Sequence, residues 1–179
     1  GDLDIGEETL AGNLTLTRDT IFRMDGGGSI NIKPNSSIAA ATHSLTMVTN
    51  ELNVDPTAGD ITAENITITP QNKSLDIVLG TATGDGLGVG AAAFDHFDSP
   101  NIVIGETGYA GTIHVGNLTV STGQLTLIAD GENGSIEIGG DLVSNATSSP
   151  SGKGIVIEGS GSTTILDANI SSNLEVVIN

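Results

Sequence analysis

One short phrase returns at a fixed interval along this chain. It reads NLTLT at 13–17, NITIT at 65–69, NLTVS at 117–121 and NISSN at 169–173. Its first residues, Asn13, Asn65, Asn117 and Asn169, are each 52 positions apart. A fixed period of this size is typical of a solenoid, in which a repeat buries its apolar face only by stacking on the next one. The spacing therefore predicts a stacked architecture.

The apolar residues predict that the stacked units are strands. They occur in pairs two positions apart, such as Leu14 with Leu16 and Ile66 with Ile68, which is the period of a strand and not of a helix. Leu118 lies 24 residues before Leu142, which lies 28 residues before Ile170, so one turn is half of the 52-residue module, about 26 residues. The pairs form three rows, which predicts three strands per turn.

These features together predict an all-β fold, a right-handed parallel β-helix, the hand following from the rule for crossovers between parallel strands. The predicted modules are 13–64, 65–116 and 117–168, with a partial module from 169, and the chain is expected to be one segment excised from a longer repetitive protein. In the weakest half-module, 86–98, we expect a protruding loop. The Leu45/Met47 pair is supernumerary in this scheme. The alternative fold is an antiparallel β-sandwich, which hairpin-like dipeptides such as Asp25-Gly26 would favour.

Composition restricts the partners. The chain has 22 acidic and 5 basic residues, for a formal net charge of −17, and this excludes nucleic acid as a natural partner because phosphate binding needs clustered bases. No apolar run approaches the length of a membrane span. We expect no cofactor, although diffuse binding of Ca²⁺ by surface carboxylates stays open. Exposed strand edges at the two ends of a solenoid predict end-to-end self-association.

Two groups of residues are candidate sites. Phe94, His96 and Phe97 interrupt a composition that is otherwise almost free of aromatic residues, and they are the candidate ligand-contact loop. The repeated phrase is also an N-x-S/T sequon, which makes Asn13, Asn65, Asn117 and Asn169 candidate glycosylation sites. The structural interpretation places each of these asparagines at a corner before a strand, in left-handed conformation and bonded to local backbone. We expect no catalytic or metal residues.

Three stretches resemble filamentous-haemagglutinin-like exoproteins, the large adhesins that Gram-negative bacteria export by two-partner secretion. They are GNLTLT at 12–17, SLDIVLG at 74–80 and GNLTVSTGQLTLIADGENGSIEIGGDLV at 116–143. The family's secretion domain carries NPNG- and NPNL-type motifs, and neither KPNSS at 33–37 nor SPNIV at 99–103 matches them. The resemblance therefore implies the repetitive shaft of such a protein and not its export signal.

From this resemblance follow an extracellular location on the bacterial surface and a role in attachment to an unidentified receptor or glycan of a host or neighbouring cell. The expected function is a structural shaft or adhesive segment, without enzyme activity. Two other classes stay open. One is a carbohydrate-active or carbohydrate-binding β-helix, which a groove of converging acids would favour. The other is a calcium- or ice-binding module.

Overall fold

The computed structural model describes all 179 residues, Gly1–Asn179, and consists almost entirely of short strands. In chain order the elements are β1 (Leu3–Ile5), β2 (Asn13–Thr15), β3 (Thr20–Arg23), β4 (Ser29–Ile32), β5 (Ser37–Ala39), β6 (Ser44–Val48), β7 (Glu51–Val54), β8 (Ile61–Thr62), β9 (Asn65–Thr69), β10 (Ile77–Gly80), β11 (Leu87–Gly90), α1 (Ala91–Phe94), β12 (Phe97–Asp98), β13 (Asn101–Gly105), β14 (Thr112–Val115), β15 (Leu118–Val120), β16 (Gln124–Ala129), β17 (Ser135–Ile138), β18 (Leu142–Ser144), β19 (Lys153–Gly159), β20 (Ser162–Ile165), β21 (Ile170–Ser172) and β22 (Glu175–Ile178). No helix in this structure is long and apolar enough to cross a membrane.

The strands form three faces of one coil. Face 1 holds two sheets, of order β1-β4-β7 and β11-β10-β14-β17-β20. Face 2 is a single seven-stranded sheet of order β3-β6-β9-β13-β16-β19-β22. Face 3 again holds two sheets, β2-β5-β8-β12 and β15-β18-β21. Along the chain each coil visits face 1, then face 3, then face 2.

The predicted β-helix is confirmed. Every strand pair is parallel, and all pairs except β10 with β11 join neighbouring coils. About seven coils of about 24 residues are stacked. The only antiparallel contact is an isolated bridge between Glu7 and Leu10, so the β-sandwich alternative is wrong. The hand of the coil stays a prediction.

Alternation of side chains creates the core. In β9 the residues Ile66 and Ile68 point inward and are fully buried, whereas Asn65 and Thr67 point outward and are partly exposed. Neighbouring coils place aliphatic residues in the same row, and the face 2 row of Leu45, Ile66, Ile102, Leu125 and Ile155 is buried throughout. Each inward residue is therefore covered by the coils before and after it, and 35 buried residues form one continuous cluster.

Polar side chains stack on the outside in the same way. The amide of Asn65 donates to the hydroxyl of Ser44 at 3.1 Å and accepts from the amide of Asn101 at 2.9 Å. On face 1 a second ladder joins Asp4, Asn31 and Asn53, at 2.7 and 2.9 Å. The asparagines thus bond to the neighbouring coil, where the sequence predicted bonds to local backbone.

The structure corrects the rows that the 52-residue spacing suggested. Ile38 pairs with Ile61 on face 3, and Asn65 lies on face 2, so the four phrase asparagines do not share one row. None of them has the predicted left-handed backbone. Nor is the Leu45/Met47 pair supernumerary, since it belongs to β6 of face 2. The equal spacing of the phrase does not correspond to one row because the coils differ in length. Stacked Ser44 and Asn65 are 21 residues apart, whereas stacked Asn65 and Asn101 are 36 residues apart.

We predict that Ile66→Ala lowers the free energy of unfolding by about 2–5 kcal/mol, the usual cost of emptying a filled core site. Thr67→Ala, the next residue on the same strand but directed outward, should cost less than about 1 kcal/mol. Urea denaturation followed by circular dichroism measures both. Equal losses for the two variants would contradict the assignment of inward and outward rows.

Candidate functional site

The regular stacking is interrupted at one place, in the coil of 36 residues between Asn65 and Asn101. This coil contributes two strands to face 1 instead of one. β10 pairs with both β11 and β14, and β11 lies beside β7 without joining its sheet. Face 1 is thus broken between β7 and β11. Face 3 is broken between β12 and β15, and only face 2 continues through this level.

The link between β10 and β11 is unusually short for parallel strands. Ile77 is paired with Leu87, and the chain returns from Gly80 to Leu87 to start the second strand at the same end as the first. Parallel strands ordinarily need a crossover of a dozen or more residues. Gly86 makes the return possible, because it has a φ of +147° and a side chain there would collide with the carbonyl of Asp76.

The single helical turn α1 fills the space that the extra strand creates between neighbouring coils. It packs against β7, β10, β11 and β15. Phe94 and Phe97 project from this region into the core, each 2% exposed, and their rings meet edge to face at 5.3 Å. The prediction of a protruding loop at 86–98 is therefore wrong. Large aromatic rings occur here because the core is wider between these coils and has to be filled. Phe94 and Phe97 present no ring to a ligand, and only His96 is partly exposed.

The break in face 1 opens as a groove of about 390 Å³, named groove 1. Its polar lining includes an ion pair between Lys33 and Glu8, with Nζ and Oε1 3.2 Å apart, and the carboxylate of the partly exposed Asp55. Hydrogen bonds from the hydroxyl and backbone amide of Thr57 hold the pKa of Asp55 below its usual value. Groove 1 therefore presents both signs of charge.

The break in face 3 opens as groove 2, of about 660 Å³. Its lining residues are Thr81, Ala91, Ala92, Asp95, Asn117, Leu118, Thr119, Asp141 and Val143. Asp95, Asn117, Thr119 and Asp141 are exposed, and no basic residue lines the groove. Groove 2 therefore offers hydrogen-bonding oxygens and an amide on a surface of small side chains, which suits a neutral hydroxylated ligand or a cation better than an anion.

Tyr109 links the segment just before β10 to the next coil. Its ring is fully buried, and its hydroxyl donates to the carbonyl oxygen of Leu75 at 2.6 Å. Lys73 strengthens the same junction, donating to the carbonyl of Thr107 at 3.0 Å and pairing with Glu106 at 3.2 Å. Burial, with the nearby charge of Asp76, raises the pKa of Tyr109 above the ordinary value of 10.0.

A histidine lies between two carboxylates on face 1, and the sequence interpretation missed it. In His114, Nδ1 is 3.1 Å from Glu137 and Nε2 is 3.5 Å from Asp76. The sequence carries a signal for it, because Ile113 and Ile136 are separated by about one turn and stack in one row, so the residues that follow them, His114 and Glu137, must also be neighbours. No group of three or more His, Asp or Glu side chains is arranged to hold a metal ion. Asp95, His96 and Asp98 accordingly form no such group.

The four candidate glycosylation sites differ in access. Asn13, Asn117 and Asn169 are exposed, and Asn65 is partly buried with both ends of its amide bonded to neighbouring coils. The side-chain nitrogen of Asn169 also donates, to Asp141 at 3.0 Å. Modification of these residues stays a prediction, and the geometry favours Asn13 and Asn117, whose side-chain nitrogens make no hydrogen bond within the chain.

We predict that Tyr109→Phe lowers the free energy of unfolding at neutral pH by roughly 1–2 kcal/mol, because the carbonyl of Leu75 loses its partner. Lys73→Met, at the same junction, removes an exposed ion pair and should cost less than about 1 kcal/mol. Urea midpoints by circular dichroism give both values. A Tyr109→Phe variant as stable as the parent would show that the hydroxyl does not anchor the insertion.

The raised pKa of Tyr109 predicts alkaline destabilisation with a definite sign. A phenol whose pKa is higher in the folded state contributes full stability below the unfolded value of 10.0 and loses it as the pH rises toward the folded value. Tyr109 is the only tyrosine, so tyrosinate absorbance reports this residue alone. Stability should fall above pH 10 more steeply in the parent than in Tyr109→Phe. Parallel curves would contradict the prediction.

No protein-family model, curated protein or solved structure matches this chain. The features that bear on function are the coil, its two breaks and the grooves beside α1.

Proposed function

We propose that this chain is a structural shaft and adhesive segment of a secreted bacterial surface protein, of the filamentous-haemagglutinin-like kind. One observation carries the shaft: the seven strands of face 2 form an unbroken parallel sheet from the first coils to the last. A sheet that spans all the coils transmits load along the stack even where faces 1 and 3 are broken. Seven coils at a strand spacing of about 4.8 Å make a rod roughly 30 Å long.

The surface chemistry supports an extracellular shaft. Outward positions carry Asn, Ser, Thr and Asp side chains that bond from coil to coil, as in the ladder of Ser44, Asn65 and Asn101. These ladders satisfy polar groups without a partner protein. A net charge of −17 keeps such rods apart in solution.

Groove 2 supports the adhesive part of the proposal. We propose that a glycan or receptor of a host or neighbouring cell contacts it, with Asp95 and Asp141 accepting hydrogen bonds from hydroxyl groups and Asn117 donating and accepting. In this proposal, groove 2 takes the place of Phe94 and Phe97 as the surface that contacts the ligand. The groove's oxygens also favour the second candidate function, a carbohydrate-binding β-helix. We assign no catalytic step to the chain, and diffuse calcium binding and ice binding stay predictions.

Single-molecule pulling between the two termini tests the shaft. We expect the chain to resist force and then to lengthen in discrete ruptures toward roughly 600 Å, its extended length. Ile66→Asp, which buries an unpaired charge in the face 2 row, should lower the rupture forces or abolish them. Smooth extension of the parent chain from the lowest forces, as for a disordered polymer, would contradict the shaft.

Adhesion has its own measurement. Beads coated with the parent protein are applied to epithelial cells and to immobilised neutral glycans, and Thr119→Trp, which fills groove 2 from its exposed strand, serves as the test variant. We expect the variant to bind several-fold less than the parent. The matched control is Thr67→Trp on face 2, away from the groove, and it should bind like the parent. Equal binding by all three proteins would exclude groove 2 as the contact.

A further inference from the structure

The two breaks in strand pairing occur at the same position along the rod. On face 1 the pairing stops between β7 and β11, and on face 3 it stops between β12 and β15. On face 2 the strands β9, β13 and β16 pair without interruption past that position. The coils on either side of the breaks are therefore joined by a continuous sheet on only one face of three.

The helical turn α1 lies opposite that continuous sheet. It follows β11 of face 1 and precedes β12 of face 3, so it forms the corner between the two broken faces. Grooves 1 and 2 both include Ala92 of this turn in their linings. The two grooves are thus at the corner farthest from face 2, where a small rotation about face 2 gives the largest displacement.

The boundary between β7 and β11, which we name the seam, lacks the bonds that join paired strands. β7 is paired only with β4, and β11 only with β10. The amide of Asn53 donates to Asn31 of the coil before at 2.9 Å, but its Oδ1 accepts no hydrogen bond within the chain. Gly88, at the outward position between the buried Leu87 and Val89, has no side chain to bond with it. The polar ladder of face 1 therefore ends at the seam.

Directional contacts past the breaks lie beside face 2. The hydroxyl of Thr69, at the end of β9, donates to Glu106 at 3.2 Å. At the other edge of face 2 the hydroxyl of Thr122 donates to the carbonyl oxygen of Phe97 at 2.8 Å. The corner at α1 is different, because its side chains are three alanines and Phe94 and make only apolar contacts, which have no directional requirement. Rotation about face 2 would therefore disturb few hydrogen bonds.

We propose that the rod flexes at this position, with face 2 as the hinge and the seam as the part that opens and closes. In the open form, which is the structure described above, groove 1 lies at the seam. In the closed form β7 and β11 pair, because they are adjacent, run in the same direction and each have one free edge. Closure about a hinge of this kind keeps one side packed and changes the other.

The hinge couples the two grooves. Both are lined by α1, on opposite sides of the corner that moves most, so they widen and narrow together. A ligand in either groove, or a load along the rod, shifts the balance only as far as it favours one form over the other. The motion follows from the strand pairing and does not depend on the adhesive role.

The test measures distances between pairs of nitroxide labels by pulsed dipolar spectroscopy, and the chain has no native cysteine to interfere with the labelling. Glu51→Cys with Ser162→Cys places the labels on face 1, five strand positions apart and across the seam. The control pair, Arg23→Cys with Glu158→Cys, also spans five strand positions, along the unbroken sheet of face 2. Five strand spacings are roughly 24 Å in each case. Circular dichroism confirms that each labelled protein is folded.

The hinge predicts unequal distributions. We expect the distances of the face 1 pair to be spread at least about twice as widely as those of the face 2 pair, because only the former crosses the seam. Equal widths for the two pairs would overturn the hinge.

A substitution at the seam tests which part moves. Gly88→Asn should narrow the face 1 distribution, because the introduced amide can donate to the free Oδ1 of Asn53, and a Cβ at Gly88 meets no atom within 4 Å. The matched control is Gly139→Asn, in the corner after β17, where a Cβ meets only the carbonyl oxygen of Val115 at 4.0 Å. The control should leave both distributions as in the parent. A wide face 1 distribution that Gly88→Asn does not narrow would overturn the seam as the moving part.

Discussion

Stacking of coil on coil is the interaction on which the whole structure depends. A single coil of about 24 residues has one thin row of inward aliphatic side chains per face and cannot cover them itself. The next coil covers the row, and its backbone groups pair with those of the coil before. Burial of Ile66 between Leu45 and Ile102 is one instance of a contact that recurs along the rod. Outside the core, the asparagine ladders follow the same register.

This dependence explains the form of the interruption in the fourth coil, which runs from β10 to β13. An extra strand on face 1 increases the distance between the neighbouring coils there by one strand spacing. The other two faces must adjust to this wider separation. Face 2 stays paired, whereas face 3 loses its pairing between β12 and β15 and receives α1 with Phe94 and Phe97. Two aromatic rings occupy more volume than the aliphatic pair of an ordinary coil. Composition changes at this point because the core is wider, and the grooves on either side of α1 are the surface consequence.

The same dependence gives the rod two unlike environments for polar groups. Along its length, side chains such as Asn65 form hydrogen bonds with both neighbouring coils, which leaves few polar groups available to bind a ligand. Near the insertion, Asp95, Asn117 and Thr119 border a groove in place of a continuous ladder. A coil built this way can present a groove without interrupting its continuous sheet, since face 2 remains paired past both breaks.

The sequence by itself determined the fold class and much of the local structure. Alternating aliphatic pairs such as Ile66 with Ile68 specify strands, and their recurrence without helical periodicity specifies stacked coils with three strands per turn. Where coils have nearly equal length, the sequence spacing also identifies residues of one row, and the structure pairs Leu118 with Leu142 as that spacing predicted. Ile113 and Ile136 form a second row of this kind. The neighbours of those residues, His114 and Glu137, could have been found by the same reasoning.

Only the tertiary structure decided which face each phrase occupies and what fills the irregular coil. The equal spacing from Asn13 to Asn65 and from Asn65 to Asn117 combines coils of unequal length, of which one has 21 residues and the next has 36. Sequence spacing measures the sum of strand and corner lengths, whereas register is fixed by backbone pairing and core volume. For the same reason Phe94 and Phe97, conspicuous in sequence as a candidate contact, lie in the core. The groove beside them is lined by residues from three coils, including Asn117 and Thr119 of the repeated phrase, which the sequence did not place next to Asp95.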